Sequence, residues 1–70
     1  MFIKIEGGYL NLDKVNFIKQ DEVNKNILIF HIHNDTIYDY ERKKIFKTES
    51  DLLSFLIYLA QNQFDKLQGF

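Results

Sequence analysis

The sequence contains no cysteine and no proline, and only one arginine. Without cysteine there is no disulfide framework and no thiolate metal site. The near loss of Arg and Pro beside abundant Ile, Lys, Asn and Phe is the bias of an AT-rich coding source, such as a low-GC bacterium or its phage. Charge of either sign is not in excess, with a net charge of −1. That excludes the basic footprint of a dedicated duplex-DNA binder and the strongly acidic profile of a nucleic-acid mimic. Long hydrophobic runs are missing as well. Leu52–Ala60 is too short to span a bilayer and carries Ser54, so no membrane is expected. Met1–Glu6 has no basic segment followed by an apolar run, so no signal peptide is expected and the cytoplasm is the expected location. No repeat, linker or low-complexity tract appears.

What is present is apolar and aromatic. Seven Phe and four Tyr occur in 70 residues, enough for one domain spanning residues 1–70. A domain of this size buries only about 60% of its unfolded surface. The clearest element is a helix over Thr48–Phe64. Thr48 is the predicted N-cap, Asp51 stands three residues on, and Glu49 and Asp51 favour the positive end of the helix dipole. Leu52, Leu56, Leu59, Ala60, Phe64 and Leu67 share one helical face. Leu53 and Ile57 widen it on one side and Phe55 on the other, so the apolar arc is broader than one core needs. Gln63–Phe70 reads as a last turn or a frayed tail.

The preceding chain reads as strands. Gly7-Gly8 predicts a two-residue hairpin turn that pairs Ile5 with Leu10 and Ile3 with Leu12. Asp13-Lys14 marks a bend and Val15–Val23 a third strand, with the choice between Phe17 and Ile18 as the inward residue left open. Asn24–Asn26 connects it to Asn26–His33, whose apolar residues on both faces point to a central strand or to a sheet covered on both sides. A tight turn at Asn34-Asp35 would pair Ile32 with Ile37, His31 with Tyr38 and Ile29 with Tyr40. Leu28, Phe30, Ile32 and Ile37 then meet the helix, and Ile27, Ile29, His31, His33, Tyr38 and Tyr40 form the other face. Ile45 or Phe46 tucks inward. The predicted fold is α+β: a five-stranded, mostly antiparallel β-meander with one C-terminal α-helix packed across one face.

Catalysis is not expected. There is no Gly-rich phosphate loop, no HExxH, no nucleophile elbow flanking Ser50 or Ser54 and no carboxylate pair at a diagnostic spacing. No cofactor is expected. His31 and His33 share a strand face, but a zinc site needs further ligands, so they read first as polar sheet positions. The surplus of apolar side chains points to a docking surface. Ile29, His31, Tyr38, Tyr40 and Phe55 are the candidate contacts for a larger protein partner, with a homodimer as a second expectation. The alternative is a single-stranded nucleic-acid binder. In it the Tyr/His face stacks bases while Arg42, Lys43, Lys44 and Lys47 track phosphates.

The order Leu10-Asn11-Leu12-Asp13-Lys14-Val15-Asn16-Phe17-Ile18, then a hairpin, then a capped helix, resembles that of small bacterial FlbD-type flagellar proteins. The resemblance covers about two-thirds of the chain. It departs at the turn, where the family's usual Asn-Gly is Asn34-Asp35, and this chain adds a first hairpin, so no function is carried over. In size and composition the chain is also similar to phage-encoded inhibitors of bacterial defence, including anti-CRISPR proteins. That class likeness implies a small, non-catalytic inhibitor of a larger protein.

Overall fold

The computed structural model describes residues 1–32, 40–62 and 64–67. In chain order it contains β1 (Phe2–Ile5), β2 (Gly8–Asn11), a 3-10 turn (Leu12–Lys14), β3 (Val15–Gln20), β4 (Ile27–Ile32), β5 (Tyr40–Ile45) and α1 (Glu49–Gln61). The α+β class holds. The five strands do not form one meander, however: β1 and β2 make a two-stranded sheet, and β3-β4-β5 make a three-stranded sheet with β4 in the centre. The division falls at the 3-10 turn. There Asn11 Oδ1 accepts from the Asp13 backbone N–H at 3.0 Å, and the chain turns away instead of laying β3 beside β2.

The first hairpin turns one residue earlier than the Gly-Gly pair predicts. Ile5 pairs with Gly8 and Ile3 with Leu10, so the turn residues are Glu6 and Gly7. Gly7 has φ +86° and Gly8 has φ +146°, and both backbones favour glycine. Because the register differs from the expected one by two residues, no side chain changes face. Ile3, Ile5, Leu10 and Leu12 are all buried.

In β3, a bulge between Val15 and Phe17 inserts one residue against β4. It brings Val15 and Ile18, three apart in sequence, onto the same buried face, and Phe17 points to the other. The strand stops at Gln20 rather than Val23. The Asp21 carboxylate accepts from the Val23 and Asn24 N–H groups, both at 2.8 Å. This Asx-type turn ends the strand where the alternation of side chains would have let it run on.

The core forms where the inner face of β4 meets α1. Leu28, Phe30 and Ile32 are 0, 0 and 3% exposed, and Leu52, Leu56 and Leu59 are 0, 7 and 0%. Helix α1 starts as its sequence demands, with Thr48 Oγ1 accepting from the Asp51 N–H at 3.1 Å. It ends at Asn62, and the Phe64 N–H donates to the Leu59 carbonyl at 3.0 Å. Beyond it, Lys66 and Leu67 are tied to β3. The Ile18 N–H donates to the Lys66 carbonyl at 2.8 Å, and Leu67 bridges Ile18 in parallel. The outer edge of β3 is thereby partly covered. Among the described residues no helix is long and apolar enough to cross a membrane.

Phe30→Ala should cost about 3–5 kcal/mol, a large share of what so small a domain possesses, and should abolish a cooperative urea transition. Gly7→Ala should cost about 1–2 kcal/mol through its positive φ and leave a cooperative transition at lower urea.

Candidate interaction surface

Cross-strand pairing decides which side chains share the open face of the three-stranded sheet. The connection between β4 and β5 spans residues 33–39, and the pairing on either side of it is Ile32 with Tyr40, His31 with Glu41 and Ile29 with Lys43. The Asn34-Asp35 turn would have set Ile29 opposite Tyr40. The difference is three residues, an odd number, so every side chain of β5 changes face. Tyr40 therefore stands beside Ile32 on the helix side, at 44% exposure, and does not join His31. Tyr38 and His33 lie outside the described residues.

The open face is built from three rows. Phe17, His31 and Glu41 form the first, Lys19, Ile29 and Lys43 the second, and Ile27 with Ile45 the third. The Phe17 and His31 rings stack with centroids 4.6 Å apart and planes 4° from parallel. Ile29 is buried although no layer of the described chain lies on this side, because it stands in register between two lysines whose apolar stems can cover it. Ile45 is 51% exposed. Of the two residues expected as alternatives for the inward position, Ile45 or Phe46, it is Phe46 that turns in, held by reciprocal bonds in which its N–H donates to the Asn26 carbonyl at 2.8 Å and the Asn26 side-chain amide donates to its carbonyl at 2.9 Å. An open depression of about 350 Å³ lies at one end of the face, lined by Lys19, Gln20, Asp21, Glu22, Val23 and Ile29.

The same parity change redirects the cations. Arg42 and Lys44 lie on the inner face, where β1 passes alongside β5 and the Glu6 N–H donates to the Lys43 carbonyl at 3.2 Å. Arg42 Nη2 donates to the Glu6 carbonyl at 3.1 Å, and Lys44 Nζ donates to the Lys4 carbonyl at 2.9 Å. Lys44 Nζ also lies 5.2 Å from the Phe46 ring centroid and 5.9 Å from that of Phe55. These two cations satisfy backbone carbonyls of the hairpin. Lys43 is exposed on the open face, and Lys47 is exposed beyond the end of β5. The four cations and the Tyr/His face of the nucleic-acid reading are thus not brought together by the described residues.

Phe55 was expected as surplus helix surface. It is only partly exposed, packs on the core and meets the Phe46 ring at 5.4 Å. The apolar helix residues that do remain outside are Leu53 and Ile57, with Ala60. Of the five partner contacts expected from sequence, the open face keeps Ile29 and His31. Phe17, Lys19 and Ile45 join them, and counting cross-strand partners outward from Ile29 is the signal that finds them. Among the described residues no group of three or more His, Asp or Glu could hold a metal ion.

Asp21, at the rim of the depression, has its pKa lowered by the N–H of Asn24 first and that of Val23 second. Both bonds favour the charged form.

The chain matches no family model, and comparisons with curated proteins and with solved structures also give no match.

The Asp21 carboxyl should titrate below the usual carboxylate range of about 4 when followed by its side-chain carbon resonance. A depressed folded-state pKa contributes stability above the unfolded pKa and loses it as pH falls through the folded one. Asp21→Asn should therefore flatten the acid limb of the stability curve below about pH 4 and leave its neutral-pH shape unaltered.

Proposed function

We propose that this chain is a non-catalytic interaction module that docks on a larger protein through the open face of its three-stranded sheet and modulates or inhibits that protein. One observation carries the reading: no helix or second sheet of the described chain is placed over this face, which presents apolar side chains with Ile45 at 51% exposure. Ile27, Ile29, Ile45 and the Phe17–His31 stack form the middle, and Lys19, Glu41 and Lys43 stand around them. An apolar centre with a charged rim is the anatomy of a protein interface, and a stacked ring pair offers a rigid anchor. Lys19 and Lys43 stand against Glu41, with Asp21 and Glu22 at the end of the face, so a partner rim carrying both signs is the better electrostatic match.

The placement of Arg42 and Lys44 weighs against a phosphate-tracking surface, since their charged ends already serve carbonyls of β1. Glu41 beside His31 would also repel a backbone phosphate there. Oligonucleotide titration at two salt concentrations should accordingly show no steeply salt-dependent binding.

The decisive experiment is in-cell cross-linking of the tagged chain in the organism that encodes it, followed by affinity measurement on the recovered partner. Ile45→Glu should weaken binding about tenfold or more, the equivalent of about 1.4 kcal/mol. Tyr9→Ala, on the exposed outer side of the hairpin, should leave it unchanged. A partner indifferent to Ile45→Glu and to Lys43→Glu would remove the open face from the reading.

A further inference from the structure

Helix α1 carries a second ordered stripe that the core does not use. Ser50, Leu53, Ile57 and Ala60 follow one another at intervals of three, four and three residues. That spacing sets them in one line along a helix, as in a coiled-coil seam. The line lies roughly 120° around the helix from the buried Leu52, Leu56 and Leu59. All four residues are exposed, Leu53 at 44% and Ile57 at 59%. From Leu52 to Phe64 the chain has no charged residue. A helix face kept in water ordinarily carries charges, whereas the centre of an interface is depleted of them.

Two properties of the stripe select its occupant. Its side chains read small, large, large, small in either direction. A two-fold interface needs a surface that complements itself. When a second copy runs antiparallel, Leu53 of each copy meets Ile57 of the other, and Ser50 meets Ala60. The large side chains then fill the middle, and the small ones let the helices close at both ends. The lack of charge is the second property. Between Leu53 and Ala60 a copy of this face brings no like-charge repulsion and strips water from no ion, costs that a charged foreign surface would carry.

We infer that two copies of the chain associate through antiparallel α1 helices, about a two-fold axis passing between Leu53 and Ile57. A single seam on a helix of 13 residues covers less than the ~800 Å² per partner of a standard interface. The association is therefore reversible and depends on concentration. It leaves the open face of the sheet free, because that face lies on the side of β4 away from the helix.

Sedimentation equilibrium from micromolar to millimolar protein tests the inference. The mass should rise from 8.4 kDa toward twice that value. Leu53→Glu and Ile57→Glu should each move the transition to at least tenfold higher concentration. Both side chains are exposed in the monomer, so the circular dichroism should not change. A wild-type mass of 8.4 kDa throughout, or dimerisation undiminished in both variants, would overturn it. A second readout uses the absence of cysteine. Leu53→Cys and Ile57→Cys chains, mixed and oxidised, should yield mainly the mixed disulfide. A preference for like-with-like pairs would overturn the antiparallel arrangement. If a glutamate variant loses its fold, the cysteine pairing decides.

Discussion

The inner face of β4 against the buried seam of α1 is the constraint on which the rest of the molecule hangs. Leu28, Phe30 and Ile32 on one side and Leu52, Leu56 and Leu59 on the other exclude water almost completely. Burying side chains of this size contributes roughly 1.5–3 kcal/mol each, against the conformational entropy of ordering the chain. Every other element completes that contact. β3 supplies Val15 and Ile18 from one side, and the hairpin closes over the remainder with Ile3, Ile5, Leu10 and Leu12.

Closing a core this small exposes sheet edges, which invite unwanted pairing. The chain covers both partly with its own backbone. The segment after α1 bonds to Ile18 at the edge of β3, and Glu6 of the hairpin bonds to Lys43 at the edge of β5. Arg42 and Lys44 extend the second closure by donating to carbonyls of β1. Two of the four cations clustered near β5 are structural for this reason, and a basic run in the sequence did not become a basic surface. Apolar and aromatic residues left outside include Ile45 on the open sheet face, Leu53 and Ile57 on the outer stripe of α1, Phe2 and Tyr9 on the outer side of the hairpin, and Val23 between β3 and β4. The open sheet face and the outer stripe of α1 are separate surfaces suited to separate contacts.

Much of this was legible from residue order, because it depends on local rules. Thr48 caps the helix through a hydroxyl three residues from its donor. The inward faces of β1, β2 and β4 follow from strict alternation, and they survived a two-residue slip in the hairpin register because two is the period of a strand. Leu28, Phe30 and Ile32 were identifiable as the face meeting the helix for the same reason. The candidate surface was less legible. Ile29 and His31 keep their places, but Tyr40 and Phe55 do not belong to that face, and Phe17 and Ile45 do.

Sequence by itself determined the class of fold, the start of the helix and the core-facing residues of the central strand, since each is set by side-chain period or by a bond between near neighbours. Tertiary structure alone decided the division into two sheets, the offset between β4 and β5 and the fate of Arg42 and Lys44. The physical reason is parity. An offset of one or three residues between distant strands costs the local chain almost nothing, yet it inverts every side chain beyond it. Only the packing of the whole molecule selects which inversion is kept.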